Sequence, residues 1–334
     1  MKTVRLSYLN TVPEDRKIVA IYRNTPLLED FERRAQGGRP LPDSVNYYPT
    51  PLVFPKPGAD RPYLISSIVL SADGKMAFQD NPVGPLIAKC NALDPDGGAC
   101  DFWCLNLLRA YADGLLIGAN TLNRESAYIN HCMDRELMAQ RKEVLQKPDQ
   151  PCQVVVSLDG TDIPFSHDTF SVDPAERLKV MIATSPEGGA FVQSHSPHVH
   201  RLLGPFTTKE EILKADLPDL HGGFSEIPVL MTGVGAEPDM QLMLYALRQM
   251  GMELVSAESP TYCSALLDAG YLDEYFVTYS MVYAGGTISP GAAFPKSWKS
   301  HPHSQLVSVG MHRQNFLFTR QCIQYGAVVP DIDS

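Results

Sequence analysis

Residues Thr261 to Gly286 read TYCSALLDAGYLDEYFVTYSMVYAGG, and this stretch decides the fold. Its first part predicts a short helix that ends at Gly270, because glycine is common just past a helix C-terminus. An acidic turn follows at Asp273 and Glu274, and then a strand begins. Alternate residues of that strand are apolar or aromatic and share one side of it: Tyr275, Val277, Tyr279, Met281 and Tyr283. A helix that leads directly into such a strand is typical of an α/β fold.

Two earlier blocks show the same succession of elements. RPYLISSIVLSADGKMA, from Arg61, predicts a strand that ends in a turn at Ala72-Asp73-Gly74. LLRAYADGLLIGANTLNRE, from Leu107, predicts a helix end, a short strand and then a loop of small residues that starts at Gly118. Each block therefore places a turn or loop of small residues directly after a strand.

In this order the three blocks resemble the reductase domain of bacterial riboflavin biosynthesis, a relative of dihydrofolate reductase. The resemblance covers roughly Arg61 to the C-terminus. It implies an α/β fold, namely a three-layer α/β/α sandwich with a mostly parallel mixed sheet. It also implies an NADPH-dependent reductase, with NADH left open, and a homodimer formed through the sheet.

The remaining sequence is consistent with alternating strands and helices. Short apolar runs predict strands at 153–157, 180–184, 227–232 and 253–257, and an amphipathic helix spans 237–250. Two runs near the C-terminus, 305–309 and 315–320, have no helix between them, which predicts antiparallel strands at the sheet edge. The segment 187–223 is predicted to be an exposed loop. It contains His195, His198, His200 and His221, but HSPHVH has one ligand type, no carboxylate and a proline in the middle, which argues against a metal site.

The first 58 residues differ from the rest, because prolines and glycines interrupt regular structure there. Only Ile18 to Phe31 fits one short helix. We therefore expect residues 1–58 to form an extension that packs on a main reductase-like domain, residues 59–334.

The composition narrows the class of partner. The chain has 334 residues, a net charge of −10 and no basic run, which argues against nucleic acid as a partner. No apolar run approaches the ~18 residues of a membrane span, and the N-terminus has no apolar signal core, so we expect a cytoplasmic protein. The seven cysteines are odd in number and irregularly spaced, which argues against a disulfide framework. No metal site is predicted, and the expected partner is a small-molecule substrate.

The resemblance places the cofactor along the ends of several strands. The implied cofactor contacts are Ser71, Gly74, Gly118, Asn120, Thr121, Ser157, Thr184, Ser185, Gly233, Gly235, Ser259, Pro260 and Thr261. Glycine lets a backbone approach a ligand closely, and exposed N–H and hydroxyl groups bind phosphate or ribose oxygens. Arg109 and Lys75 are the implied substrate contacts. The candidates for proton relay are Glu125 and Glu258, with Asp73 in reserve.

Two departures from the resemblance bear on function. Relatives carry a further arginine after the acidic position of Glu125, and here SAYINHCMD contains none, so the phosphate clamp of a phosphoribosyl substrate is incomplete. Relatives also carry E-G-G-P-T where this chain has Ala257-Glu258-Ser259-Pro260-Thr261. Glu258 either replaces the glutamate one residue away or repels the cofactor pyrophosphate.

Two functions follow from these observations. The first is a reductase that transfers hydride from NADPH to a small heterocyclic or open-chain carbonyl or imine metabolite, pyrimidine-like or pterin-like. The second is a non-catalytic nucleotide-binding protein on the same scaffold, which the lost glycines favour.

Overall fold

The computed structural model describes residues 3–9, 16–126, 128–220, 222 and 224–327. Their strands are β1 (Val19–Arg23), β2 (Tyr63–Ser71), β3 (Gly114–Gly118), β4 (Cys152–Val156), β5 (Val180–Thr184), β6 (His200–Phe206), β7 (Ile227–Thr232), β8 (Leu254–Ala257), β9 (Glu274–Ser280), β10 (His303–His312) and β11 (Phe316–Gln324). Their helices are α1 (Thr25–Arg34), α2 (Pro42–Tyr47), α3 (Leu86–Lys89), α4 (Pro95–Tyr111), α5 (Ala119–Arg124), α6 (Arg135–Leu145), α7 (Pro186–His195), α8 (Lys209–Lys214), α9 (Met240–Gln249) and α10 (Pro260–Asp268).

The chain divides into two compact units. Unit 1 comprises the described residues of Met1–Leu9, Lys56–Tyr63 and Leu108–Ser259, and unit 2 comprises those of Asn10–Pro55, Leu64–Leu107 and Pro260–Ser334. The boundary near residue 58, between an extension and a main domain, stays a prediction.

Unit 1 is built on parallel strands. Their order is β8-β3-β4-β5-β7-β6, and every pair in that row is parallel. All residues of β5 and β8 are buried, so both faces of the sheet are covered there, as is usual for parallel sheets. One face carries a core in which β3, β4, β5 and β7 contribute valine, leucine and isoleucine, joined by α5 and α7. The carboxyl ends of these strands consequently lie at one edge of the sheet.

The predicted loop over 187–223 is wrong for most of its length, because α7, β6 and α8 occupy it. Two glycines in the first turn of α7 conceal the helix in the sequence. A Cβ on Gly188 would lie 2.0 Å from Thr184 Oγ1, and one on Gly189 would lie 2.1 Å from Met231 Sδ. The glycines are therefore present because α7 packs closely on β5 and β7, not because the chain turns. His221 of this segment lies outside the described residues.

Unit 2 has a mixed sheet in the order β1-β10-β11-β9-β2. The pair β2 and β9 is parallel, whereas β9, β11, β10 and β1 pair antiparallel in succession. The antiparallel terminal strands are thus confirmed. The single helix expected over 18–31 is wrong, since residues 19–23 form the edge strand β1 and the helix begins only at Thr25.

The predicted α/β class with a mostly parallel mixed sheet is confirmed. Of the strand pairs described within the units, six are parallel and three are antiparallel. Among the described residues no helix has the length and apolar character needed to cross a membrane.

Candidate active site

Most predicted cofactor contacts in unit 1 lie at one edge of its sheet. Gly118 ends β3, Ser157 follows β4, Ser185 follows β5, Gly233 follows β7 and Ser259 follows β8 by two residues. Because these strands are parallel, their carboxyl ends meet at the same edge. Open α/β sheets bind ligands in the crevice beyond such ends.

The corners after β3 and β8 meet at Gly118. A Cβ built on Gly118 would lie 2.8 Å from Ser259 Oγ and 3.9 Å from Thr121 Oγ1. Gly118 has an ordinary extended backbone, with φ −69° and ψ 140°. Glycine is therefore required here by the close approach of Ser259, rather than by backbone conformation.

The loop predicted to start at Gly118 is wrong, because α5 begins at the next residue. Asn120 and Thr121 thus lie in the first helical turn, with Asn120 exposed and Thr121 half-buried. The side-chain polar groups of Asn120, Thr121 and Ser259 make no hydrogen bond among the described residues. The Asn120 and Thr121 groups are exposed enough to meet a ligand, whereas Ser259 is buried at the Gly118 corner.

Three other predicted contacts use their hydroxyls within the protein. Ser157 Oγ donates to the Asp162 carboxylate and accepts from the Gly160 N–H at 2.9 Å. Thr184 Oγ1 donates to the Leu158 carbonyl at 3.1 Å. Ser185 caps α7 by accepting from the Gly188 N–H at 3.0 Å. All three are buried, so their hydroxyls stabilise the loops at this edge and are not exposed to a ligand.

The Gly233–Gly235 turn also has a structural cause. Gly233 has φ +84°, and a Cβ there would lie 2.0 Å from the Glu237 carbonyl oxygen. The Gly235 carbonyl accepts from the Glu187 N–H at 3.0 Å, which joins this turn to the start of α7. Both glycines therefore shape the edge after β7.

Arg109 and Glu258 are bound to each other. Arg109 Nε donates to Glu258 Oε1 at 2.8 Å, and Arg109 Nη2 donates to Glu258 Oε2 at 2.6 Å. The Arg109 side chain is 1% exposed and that of Glu258 is 5% exposed. Burial opposes the charge on Arg109, but Glu258 raises the Arg109 pKa above its ordinary value. The implied substrate arginine and the implied catalytic glutamate thus form one buried ion pair, which leaves Arg109 little capacity to clamp a phosphate.

Tyr128 and Asn130 complete the polar cluster around this pair, and the sequence did not single them out. Arg109 Nη1 donates at 2.8 Å both to the Tyr128 hydroxyl and to the His131 carbonyl. Asn130 Nδ2 donates to Glu258 Oε2 at 3.0 Å. Nothing in the spacing of these loop residues signals that they converge on an ion pair.

The Tyr128 hydroxyl has the chemistry of a proton donor. It accepts from Arg109, so its own proton is directed elsewhere. The pKa of Tyr128 is raised, because burial and the Glu258 and Glu125 carboxylates together outweigh the Arg109 cation, which lowers it. Glu125 is half-buried at the end of α5 and belongs to the same cluster.

The predicted turn at Ala72-Asp73-Gly74 lies in unit 2 and is held together by Asp73. Its carboxylate accepts from Ser71 Oγ at 2.6 Å and from the N–H groups of Ala284 and Gly285 at 3.1 and 2.8 Å. These bonds, that from Ser71 first, lower the pKa of Asp73 to about 2. A carboxylate with so low a pKa is unsuited to proton relay near neutral pH.

The other predicted residues of unit 2 flank the turn or begin a helix. Gly74 has φ +74°, which the turn requires. Lys75 Nζ donates to Ser289 Oγ at 3.2 Å and Lys75 N–H donates to Ser71 Oγ at 2.8 Å. Pro260 and Thr261 are exposed in the first turn of α10.

Asp101 is a third residue that the sequence did not single out. It lies on α4 and accepts a hydrogen bond from Thr278 of β9. Desolvation raises the pKa of Asp101 to about 6, and the Thr278 hydrogen bond only partly offsets this. Thr278 pairs with Val69 of β2, which is half-buried in the middle of an otherwise well-covered strand. A desolvated carboxyl beside a partly open stretch of sheet is a functional candidate.

No group of three or more metal-ligating side chains is found in the part of the chain that the structure describes.

Comparison with solved structures confirms the predicted fold. A pyrimidine reductase-like protein from Corynebacterium diphtheriae superposes with a TM-score of 0.53 at 15% identity, covering 80% of this chain and 94% of that protein. The diaminohydroxyphosphoribosylaminopyrimidine deaminase/5-amino-6-(5-phosphoribosylamino)uracil reductase of Thermotoga maritima superposes with a TM-score of 0.50 at 14% identity, covering 78% of this chain. The chain has the fold of these reductases.

The match spans 56% of the Thermotoga maritima protein. No protein-family model and no curated protein sequence matches this chain. At such identities the likeness establishes the fold alone, so activity has to be argued from the site.

Proposed function

We propose that the chain is an NADPH-dependent reductase of a small nitrogen heterocycle or a related carbonyl or imine. One observation supports this most: five strand ends of unit 1 converge on one edge, where Gly118 lets two corners meet. Asn120 and Thr121 present polar side chains there that have no hydrogen-bond partner among the described residues, and these groups would hold the sugar and phosphate oxygens of the cofactor. NADH remains the alternative dinucleotide.

The cofactor would supply hydride, and the protein would orient the substrate and supply a proton. In unit 1 the Tyr128 hydroxyl is the best proton donor, because the Arg109 cation at 2.8 Å stabilises the phenolate that forms. In unit 2 the Asp101 carboxyl, with a pKa of about 6, is the corresponding candidate. Tyr128 and Asp101 therefore take the place of Glu258 and Asp73 as proposed proton donors, because Glu258 is bonded to Arg109 and the pKa of Asp73 is low. Glu125 lies close to Tyr128 and remains a candidate beside it.

A substrate without a phosphate fits this chain better than a phosphoribosyl compound. The arginine that would complete a phosphate clamp is absent after Glu125, and Arg109 is committed to Glu258. Pyrimidine-like and pterin-like heterocycles without a phosphate are accordingly the first compounds to test.

The cofactor site is tested by NADPH fluorescence titration of Thr121→Val beside Thr184→Val. Loss of one hydrogen bond should weaken NADPH binding to Thr121→Val by about 1 kcal/mol, roughly fivefold. Thr184→Val removes a buried hydroxyl that bonds Leu158, so it should lower stability and leave NADPH affinity unchanged. An equal loss of affinity in both variants would contradict the assignment of Thr121.

Turnover separates the reductase from the alternative function, a non-catalytic nucleotide-binding protein. The alternative is favoured by the engagement of Glu258 and Asp73 in protein contacts. NADPH oxidation at 340 nm with the heterocycle panel supports the reductase, and NADPH binding without oxidation of any panel member supports the alternative. Failure to bind either NADPH or NADH would contradict the reductase.

The homodimer and the cytoplasmic location are further parts of this proposal. Light scattering should give a mass near twice 36.8 kDa, whereas a mass near that of a single chain would contradict the dimer.

A further inference from the structure

The N-terminal segment, residues 3–9, lies along the loop that carries Tyr128 and Asn130. The Leu9 N–H donates to the Met133 carbonyl at 3.0 Å, and the Val4 N–H donates to the Ser171 carbonyl at 2.8 Å. The Tyr8 hydroxyl accepts from Gln150 Nε2 at 3.3 Å, and the same amide group of Gln150 donates to the Cys132 carbonyl at 3.0 Å. We call residues 3–9 the strap and residues 128–134 the site loop.

His131 is where the strap and the site loop meet. Its Nδ1 lies 2.7 Å from the Ile129 carbonyl oxygen, and its Nε2 lies 2.8 Å from the Ser7 carbonyl oxygen. The side chain is buried, and the Tyr8 ring packs edge-on against it at 5.7 Å between centroids. Both neighbours of the ring nitrogens are carbonyl oxygens, which can only accept hydrogen bonds.

This geometry distinguishes the two protonation states of the ring. An imidazolium donates from both nitrogens and holds both carbonyls, whereas a neutral imidazole donates from one and presents a lone pair to the other oxygen. Loss of the ring proton therefore removes one of the two bonds, and a repulsive contact replaces it.

We propose that His131 is a positioning residue that couples the seating of the strap to the geometry of the Arg109–Glu258 pair, and that its protonation tightens this seating. The coupling is direct, because the His131 carbonyl accepts from Arg109 Nη1 at 2.8 Å. When the ring holds Ser7, the backbone of the site loop is fixed at the point where it binds Arg109. The Tyr128 hydroxyl, bound to the same Nη1, is fixed with it.

The charges that face His131 act in both directions. Burial lowers the pKa of His131, its two carbonyl contacts raise it, the Arg109 cation lowers it and the Glu176 carboxylate raises it. The Arg135 guanidinium carbon lies 4.5 Å from the centroid of the Tyr8 ring and adds a second cation on the strap side. The net direction is downward, so the ring gains its proton on the acid side of its ordinary titration range.

Hydrogen exchange tests the coupling without reference to catalysis. In the full chain, the Leu9 and Val4 amides, corrected for intrinsic exchange, should be about fivefold more protected below the His131 titration than above it, since one hydrogen bond is worth about 1 kcal/mol. His131→Gln, which cannot gain a proton, should show no such pH dependence. His195→Gln is the matched control, because His195 Nδ1 also contacts a backbone carbonyl, that of Phe191 at 3.0 Å, within helix α7. Its strap amides should behave as in the wild type.

A second measurement keeps the test decisive if His131→Gln folds poorly. Nitrogen chemical shifts of labelled histidine report the His131 titration in the wild-type chain. Its midpoint should coincide with the change in strap protection. Strap protection that is constant through the His131 titration would overturn the proposal.

The consequence for turnover rests on the proposed reductase activity. If that activity is present, His131→Gln should change the pH profile of kcat, and NADPH affinity should change little. An unchanged pH profile would refute the link to Arg109. Absence of any activity would refute the proposed function. The proposal about the strap would still be tested by hydrogen exchange, which does not depend on catalysis.

Discussion

Asp101→Asn should stabilise the protein, and the gain should grow with pH. The Asp101 carboxyl is desolvated on α4, and its one described partner is the neutral Thr278 hydroxyl. Desolvation raises its pKa from the ordinary 3.8 to about 6. The folded chain therefore holds a proton that the unfolded chain releases between pH 4 and 6, so stability falls as pH rises through this range.

The size of the effect follows from the two pKa values. The difference between 3.8 and about 6 corresponds to about 3 kcal/mol, since one pH unit between folded and unfolded pKa is worth ~1.4 kcal/mol. This penalty is absent below about pH 4 and complete above about pH 7. Asparagine keeps a hydrogen-bonding group for Thr278 and carries no charge, so the variant does not incur the penalty.

Urea unfolding of wild type and Asp101→Asn at pH 4 and at pH 7.5 measures the effect. The difference in unfolding free energy between the two proteins should increase by about 2–3 kcal/mol from the lower to the higher pH. Asp80→Asn, at an exposed position of the same unit, should show no comparable increase. A difference between wild type and Asp101→Asn that is independent of pH would refute the desolvation of Asp101.

Other predictions concern the cluster in unit 1. Arg109→Met should destabilise the chain by about 3–5 kcal/mol, because it leaves the Glu258 carboxylate buried and unpaired, and adding Glu258→Met should recover much of the loss in urea unfolding. Losses that simply add would contradict the pairing. Gly118→Ala should weaken NADPH binding and cost about 1–3 kcal/mol of stability, because its Cβ would lie 2.8 Å from Ser259 Oγ; an alanine variant that binds NADPH normally would show that the corner relaxes freely. Tyr128→Phe should lower kcat by about 10²-fold or more with little change in NADPH affinity, and an unchanged kcat would exclude its hydroxyl as the proton donor.

Strands with continuous apolar sequence were predictable to the residue. Val180–Thr184 and Ile227–Thr232 have the bounds that the sequence predicted. Each is a run of β-branched or other apolar residues that both faces of a sheet can bury, so local pattern and tertiary packing agree.

Elements whose cause lies elsewhere in the chain were not predictable. Gly188 and Gly189 suggest a loop when read locally, yet they permit α7 to pack against Thr184 and Met231. Val19–Arg23 has no strong pattern of its own and becomes a strand by pairing with β10. Propensity is a weak prior when a distant partner decides the outcome.

The candidate site divides in the same way. The edge on which the predicted residues of unit 1 lie was predictable, because parallel strands end at the same edge of an α/β sheet. Whether each side chain is hydrogen-bonded within the protein was not predictable. Thr121 and Thr184 both follow the pattern of cofactor contacts, yet only the Thr184 hydroxyl is bonded among the described residues. Tyr128 and Asp101 gain their chemistry from Arg109 and Thr278, which lie 19 and 177 positions away in the chain. The spacing of neighbouring residues in the sequence does not reveal partners that are so far apart in the chain.

The departure at Glu258 becomes intelligible once Arg109 is considered with it. A lone carboxylate beside a bound pyrophosphate would repel it by about 2 kcal/mol per pair of charges at roughly 8 Å and an effective dielectric constant of about 20. In this chain both Glu258 oxygens are bound by the Arg109 guanidinium, so the edge near Ser259 carries no net charge from this pair. Replacing glycine by glutamate is compatible with an anionic cofactor only while Arg109 is committed to neutralising it. That commitment occupies Arg109, so in the proposed reductase the same pair would permit an anionic cofactor and disfavour a phosphorylated substrate.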